Sequence, residues 1–304
     1  MSASVFRIIA DDIKIAHSIF ALPFAVLGAC MAAAYAAGPD GIDISSIGVS
    51  LLLVVIAMVF ARTSAMLANR ILDHNIDAEN PRTKGRAIPS GRLTLGTAYV
   101  SIGISSVGFM AVCLLFGILN ENWWPMILGL PVLGWICAYG LFKRFTWFCH
   151  VWLGASLGLS PLAAAIAIDP AVLATPAIWL LAGMVTCWVA GFDVIYALQD
   201  IDVDRRDGLN SIPARFGMNG ALLISKALHL IAAALLFGVW WTVPQFQGLF
   251  LAATIVVATL LLVEHATVKK WGTTKMALTF VTINGVVSLA VGTAGVIDLL
   301  RYSS

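Results

Sequence analysis

The sequence predicts an all-α integral membrane protein of nine transmembrane helices, and three observations predict it. Of 304 residues, 60% are hydrophobic and only 11% charged, against about 25% charged in a soluble domain. Mean hydropathy is +0.94, so the chain carries more apolar surface than a water-soluble protein of this length hides, and the bilayer is its solvent. The apolar residues also fall in runs that match the roughly 20 residues a helix needs to cross hydrocarbon. Nine runs qualify, at 13–37, 46–72, 94–118, 122–142, 147–168, 171–198, 219–241, 246–266 and 275–299.

The connections support that count. Those near 38–45, 119–121, 169–170 and 242–247 hold no Lys or Arg. The alternate ones hold Arg82, Lys84, Arg86 and Arg92; Lys143 and Arg144; Arg205, Arg206 and Arg215; Lys269 and Lys270. Basic residues collect on the cytoplasmic side of short loops. Nine spans put all of these on one side, with the N-terminus cytoplasmic and Arg301 outside, whereas eight or ten spans break the alternation. The expectation is one multi-pass domain, 1–304, in the inner (cytoplasmic) membrane.

The first run reads as a retained helix. The stretch "AAYAAG" at 33–38 resembles a signal cleavage site, but the run from Ile13 exceeds a signal core and Asp11 and Asp12 precede it. Cys30, Cys113, Cys137, Cys149 and Cys187 stand singly in apolar runs, without metal spacing, and read as packing residues. A net charge of +2 gives no nucleic-acid footprint, and nothing calls for an obligate protein partner.

Two polar segments interrupt this pattern. At the end of the second run, "NRILDHNIDAENPRTKGR" (69–86) spaces Asn69, Asp73 and Asp77 four apart, with Arg62 seven residues before Asn69. On a helix that spacing stacks the side chains along one face. At the end of the sixth run, "DVIYALQDIDVDRRDGLNSIPARFG" (193–217) repeats the design with Tyr196, Asp200 and Asp204 four apart and Asp193 seven before Asp200. A basic loop follows each motif.

Like charges on one helix face, at an end where the helix dipole opposes them, are costly unless a cation binds between them. Charged residues at the edge of a span are functional-site candidates. Hard oxygen ligands suit Mg²⁺ shared between carboxylates and phosphates, and arginines suit the remaining phosphate oxygens. A diphosphate at the membrane edge leaves room for a lipid tail in the hydrocarbon. Glu79, Asp202 and Asp207 read as solvated loop charges. The motifs occur four spans apart, which reads as two related four-helix halves.

These motifs resemble those of the UbiA superfamily of intramembrane aromatic prenyltransferases. That family's first motif is N-D-x-x-D-x-x-x-D, matched by Asn69, Asp73 and Asp77. Its second is matched by Asp193, Tyr196, Asp200 and Asp204, and the segments "NPRTKGRAIPSGRL" and "SIPARFG" are similar to its basic continuations. The resemblance extends over nearly the whole chain and implies a nine-helix bundle with a cytoplasm-side active site. Position 70 departs from the pattern: Arg70 stands where many members have Asp, and helical geometry points it about 100° from the Asn69 face. Arg70, with "NPRT" and "YALQDIDVDRRDGL", resembles the bacterial branch of 4-hydroxybenzoate polyprenyltransferase-like proteins.

The resemblance implies Mg²⁺ held by Asn69, Asp73, Asp77, Asp200 and Asp204, with Asp193 and Tyr196 also in the site. Arg82, Lys84, Arg86, Arg205 and Arg206 would bind the diphosphate of a polyprenyl donor. The acceptor would be an aromatic ring, 4-hydroxybenzoate on a ubiquinone route or 1,4-dihydroxy-6-naphthoate on the futalosine route to menaquinone. Arg62 is the first candidate to meet the acceptor carboxylate and Lys14 the second, with His17, His150 and Asn284 left without a role. Haem or a glycerol phosphate lipid is the non-aromatic alternative as acceptor. A different class, an ion or phosphate transporter, also uses paired intramembrane acids, but such sites lie near the midplane, whereas these acids lie at span ends. The tryptophans near span ends (Trp123, Trp124, Trp240, Trp241, Trp271) read as interfacial belts.

Overall fold

The computed structural model describes residues 3–38, 41–274, 276 and 278–302, with the side chains of residues 3, 4, 15–17, 44 and 278–280 outside that description; the side chain of His17 is therefore not described. In hydrocarbon a backbone amide finds no water, so the chain crosses as helix. The long helices are α2 (Leu22–Ala37), α3 (Ile44–Leu72), α5 (Leu95–Asn120), α6 (Trp124–Phe142), α7 (Cys149–Ile168), α8 (Pro176–Tyr196), α10 (Ile212–Thr242), α11 (Gly248–Trp271) and α12 (Asn284–Tyr302). Short helices α1 (Ala3–Asp12), α4 (His74–Glu79) and α9 (Ile201–Arg206) stand beside them. Among the described residues nine helical segments are long and apolar enough to cross a membrane, and this is a multi-pass membrane protein.

Local chemistry sets the helix starts. Asp43, Thr94 and Ser211 cap α3, α5 and α10 by accepting from the backbone N–H groups of Ser45, Thr97 and Ala214. Proline stands in the first turn of α6, α8 and α10, where its missing N–H costs nothing.

Helices meet through small residues, as lipid-embedded helices do. Gly154 and Gly158 of α7 lie so close to α8 that an added Cβ would collide with the Thr186 carbonyl and hydroxyl. The central core joins Phe24, Trp188 and Phe250, while Leu223, Leu230 and Leu262 stand exposed on the outer faces. Asn284, buried, accepts from Trp188 Nε1 at 2.8 Å and donates to Glu264 Oε1 at 3.1 Å. It is a cross-link between α8, α11 and α12.

Three boundaries differ from those read in the sequence. The run from Ile13 is not one helix: Lys14 takes a left-handed conformation (φ 48°, ψ 64°), and the span itself runs Ser18–Ala37. The preceding α1 buries Ile9, and Ile13 just after it, against Leu67 and Ile71, so it lies across the end of α3. The seventh span begins at Ile212, with an extended kink at Gly217 (φ 68°, ψ 179°) that favours glycine. The ninth opens with a π-helical segment, Leu278–Ile283.

Candidate functional site

Both acidic motifs sit where a helix is interrupted. Helix α3 ends at Leu72, Asp73 has non-helical dihedrals (φ −97°, ψ 5°), and α4 follows. The four-residue hydrogen bonds continue through the break, Asp73 N to Asn69 O at 2.9 Å and Asp77 N to Asp73 O at 2.8 Å, so the three side chains keep their stacking. In the second motif α8 passes into a 3₁₀ turn, Ala197–Asp200, before α9. The motifs therefore do not lie on continuous helices; each bends, and the bends face one another.

Between them lies a polar cavity of about 590 Å³ lined by Asn69, Asp73, Asp77, Asp193, Tyr196, Asp200 and Asp204, with Lys14, Arg62, Arg82, Arg86 and Lys143. Beside it is an almost wholly apolar cavity of about 460 Å³ walled by α3, α5, α6 and α7. The two share Arg62, Met66, Tyr139, Leu153 and Leu157. One chamber suits a charged headgroup and the other a hydrocarbon, and Arg62 stands at their junction.

Asp73, Asp77, Asp193 and Asp200 each face a donor. Lys143 Nζ lies 2.7 Å from Asp73 Oδ2, and Arg144 Nη2 lies 3.3 Å from Asp73 Oδ1. Arg86 Nη1 donates to both Asp77 oxygens at 2.7 Å. Arg82 spans Asp200, with Nε to Oδ1 at 2.9 Å and Nη2 to Oδ2 at 2.5 Å, and donates to the Tyr196 hydroxyl at 3.0 Å. Burial works against the charge of Arg82, but the bond to Asp200 outweighs it, and the guanidinium holds its proton more tightly than a free arginine. Asn80, from the first basic loop, also donates to Asp200 Oδ1 at 3.2 Å. Asp193 pairs with His150, Oδ2 to Nδ1 at 2.7 Å, while His150 Nε2 accepts from Ile212 N at 3.3 Å. His150 thus ties α7, α8 and α10.

The donor set fits a divalent cation with a diphosphate: hard carboxylate oxygens from two motifs, ringed by cations that match phosphate oxygens. As they stand, no three acidic, His or Cys side chains among the described residues converge on an ion-sized point, because the carboxylates are turned to their partners. Asn69 donates its amide to Asp73 Oδ2 at 2.9 Å and accepts from Arg70 Nη1 at 3.1 Å, so its oxygen faces Arg70.

Of the residues singled out in the sequence, the polar cavity gathers both motifs, Arg62, Lys14, Arg82 and Arg86, but not Lys84, Arg205 or Arg206. Lys84 is exposed. Arg205 bonds the Ala214 carbonyl at 3.1 Å and Arg206 bonds Asp207 at 2.7 Å. Asn284 lies in the core instead. Lys143 and Arg144, which the sequence marks only as cations of a basic connection, also lie at the site. Their adjacency to Asp73 is set by the α6–α7 connection, where Asn210 N donates to Lys143 O at 2.6 Å, a contact no spacing reveals.

Arg62 Nη2 donates to the carbonyls of Ile13 and Lys14, both at 3.3 Å. Its buried Nε, and the buried hydroxyl of Ser160 on the apolar cavity, have no hydrogen-bond partner among the described residues.

The sequence model of the UbiA prenyltransferase family matches residues 21–286. The chain is 29% identical over 203 residues to the 4-hydroxybenzoate octaprenyltransferase of Pseudoalteromonas atlantica, covering 64% of this chain and 67% of that protein. Along several such relatives the alignment spans between 36% and 67% of their length. The apo structure of a UbiA homolog from Aeropyrum pernix K1 superimposes with a TM-score of 0.80 at 30% identity, covering 94% of this chain and 99% of the other. A UbiA homolog from Archaeoglobus fulgidus bound to DMAPP and Mg²⁺ shares the fold, with a TM-score of 0.70 at 15% identity, over 96% and 98% of the two chains.

Proposed function

The chain belongs to the UbiA prenyltransferase family, and on that premise we propose that it transfers a polyprenyl group from an allylic diphosphate to an aromatic acceptor, 4-hydroxybenzoate first. The observation that carries this reading is the meeting of a polar, acid-lined cavity with an apolar one at Arg62 and Tyr139. The diphosphate occupies the first cavity and the prenyl tail the second, so the allylic carbon lies at their junction, within reach of an acceptor.

Asp73, Asp77, Asp200 and Asp204 would hold Mg²⁺, which when bound would supply Lewis-acid stabilisation of the departing diphosphate. Arg82, Arg86 and Lys143 exchange their carboxylate partners for phosphate oxygens and oppose the charge that develops as the carbon–oxygen bond breaks. The electron-rich ring then forms a carbon–carbon bond to the allylic cation ortho to its hydroxyl, and the ring proton passes to the released diphosphate. The apolar walls keep water from the cation, which it would convert to an alcohol. Arg62 binds the acceptor carboxylate through its unpartnered Nε–H, and Ser160 offers a second polar contact. By the distribution of lysine and arginine the site faces the cytoplasm, in the inner membrane.

Purified protein with Mg²⁺, a polyprenyl diphosphate and either 4-hydroxybenzoate or 1,4-dihydroxy-6-naphthoate tests the reading by mass spectrometry of the product. Prenylated benzoate is the expected result. Naphthoate product alone moves the enzyme to the menaquinone route, and ion flux in proteoliposomes without prenyl donor would favour a transporter.

A further inference from the structure

Arg70 occupies the position at which the sequence departs from the family motif, and helical geometry sends it away from the Asn69 face. The structure shows it buried and fully engaged. Its Nε pairs with Asp12 Oδ2 at 3.0 Å, its Nη2 donates to the Asp12 carbonyl at 3.2 Å, and its Nη1 reaches back to Asn69 Oδ1 at 3.1 Å. The side chains of Arg70 and Asp12 are 6% and 5% exposed. The other Asp12 oxygen, Oδ1, accepts from Ala87 N at 2.6 Å. One ion pair thus joins the N-terminal arm, the end of α3 and the first basic loop.

We infer that Asp12 and Arg70 are a positioning pair that sets the donor site by orienting Asn69 and the Arg86–Ala87 turn. Two chains of contact run from the pair. In the first, Arg70 takes the Asn69 oxygen, so the Asn69 amide points its N–H at Asp73 Oδ2, 2.9 Å away. In the second, Asp12 fixes Ala87 N, and the adjacent Arg86 grips both oxygens of Asp77. Both aspartates of the first motif are therefore aimed by one buried pair, half of which is supplied by a helix outside the membrane-spanning set. Partners of this kind act through the ligands they orient, and Arg70 also lines the edge of the polar cavity. The arm is doubly held, since Arg62 from the same helix bonds the carbonyls of Ile13 and Lys14 at 3.3 Å.

This inference rests on the diphosphate-and-metal reading of the site, and its test separates the two. Removing one member of a buried pair leaves an uncompensated charge and endangers folding, so the variant of choice neutralises both, Asp12→Asn with Arg70→Gln. Full-length protein in detergent is titrated with Mg²⁺ and inorganic pyrophosphate by calorimetry, which needs no turnover. The double variant should bind pyrophosphate at least about tenfold more weakly, in the range that outer partners of a metal site contribute, with 4-hydroxybenzoate binding within twofold of wild type.

In an Asn69→Ala background the same double change should cost markedly less, because part of the effect runs through Asn69. Arg70→Lys, which keeps the charge but not the fork that reaches Asn69, should fall between, and it carries the test if the double variant does not fold. Pyrophosphate binding within twofold of wild type, or an equal loss with and without Asn69, overturns the inference. Wild-type protein that binds no Mg²⁺–pyrophosphate overturns the functional reading instead.

Discussion

Lys143 places its Nζ 2.7 Å from Oδ2 of Asp73, on a side chain only 3% exposed, and so carries a cation from the α6–α7 connection into the first acidic motif. Arg144 beside it donates to the Leu72 carbonyl at 2.6 Å, so that the connection closes over the break between α3 and α4. A cation this near an acidic-motif carboxylate, on the wall of the same cavity, is placed to bind the diphosphate of the proposed donor.

Replacing Lys143 by Gln should therefore raise KM for the prenyl diphosphate and lower kcat/KM by about 10- to 100-fold, the equivalent of a charge-assisted hydrogen bond of about 1.5–3 kcal/mol. The KM for the acceptor should stay near wild type. Steady-state kinetics with each substrate varied in turn checks both statements.

Asp73→Asn and Asp200→Asn each remove a carboxylate charge from the proposed metal set while keeping the side-chain volume. Turnover should drop by more than about 100-fold, beyond what an outer partner contributes, while the protein still inserts and elutes as a single species in detergent. Full activity in either variant would remove that residue from the site. Chelation with EDTA should stop product formation in the wild type, and added Mg²⁺ should restore it.

Arg62→Gln tests the acceptor site. Loss of the guanidinium from the junction of the two cavities should raise KM for 4-hydroxybenzoate at least about tenfold, the cost of a charge-assisted bond. Donor KM should be unaffected. Arg62→Lys should not rescue fully, because an ammonium lacks the planar fork. A phenolic acceptor without a carboxylate should be the least sensitive to either change, and equal sensitivity would separate Arg62 from the carboxylate.

The α7–α8 contact supplies a stability prediction. Gly154→Val places branched carbon against the Thr186 carbonyl and the Ala190 backbone, where even a lone Cβ collides. Overpacking of this kind costs about 1–3 kcal/mol, and the thermal unfolding midpoint in detergent should fall. Gly134→Val, at a helical glycine where an added Cβ meets nothing within 4 Å, is the control and should leave it nearly unchanged.

What the sequence alone determined is what depends on local composition. Hydrocarbon thickness and the need to satisfy every backbone amide turn an apolar run into a span, so the nine spans were legible without coordinates. So were the two acidic motifs, since their cost at a helix end calls for a cation wherever the rest of the chain goes.

Tertiary structure decided the partners. Lys143 on Asp73, Arg82 on Asp200 and Arg70 on Asp12 join residues 70, 118 and 58 positions apart in the chain. Long cationic side chains reach in several directions from one backbone position, and only the folded chain selects among them. The breaks at Lys14 and Asp73 belong to the same category. Each is held by contacts from elsewhere, Arg62 on the Lys14 carbonyl and Arg144 on the Leu72 carbonyl, and hydropathy within a span carries no trace of them.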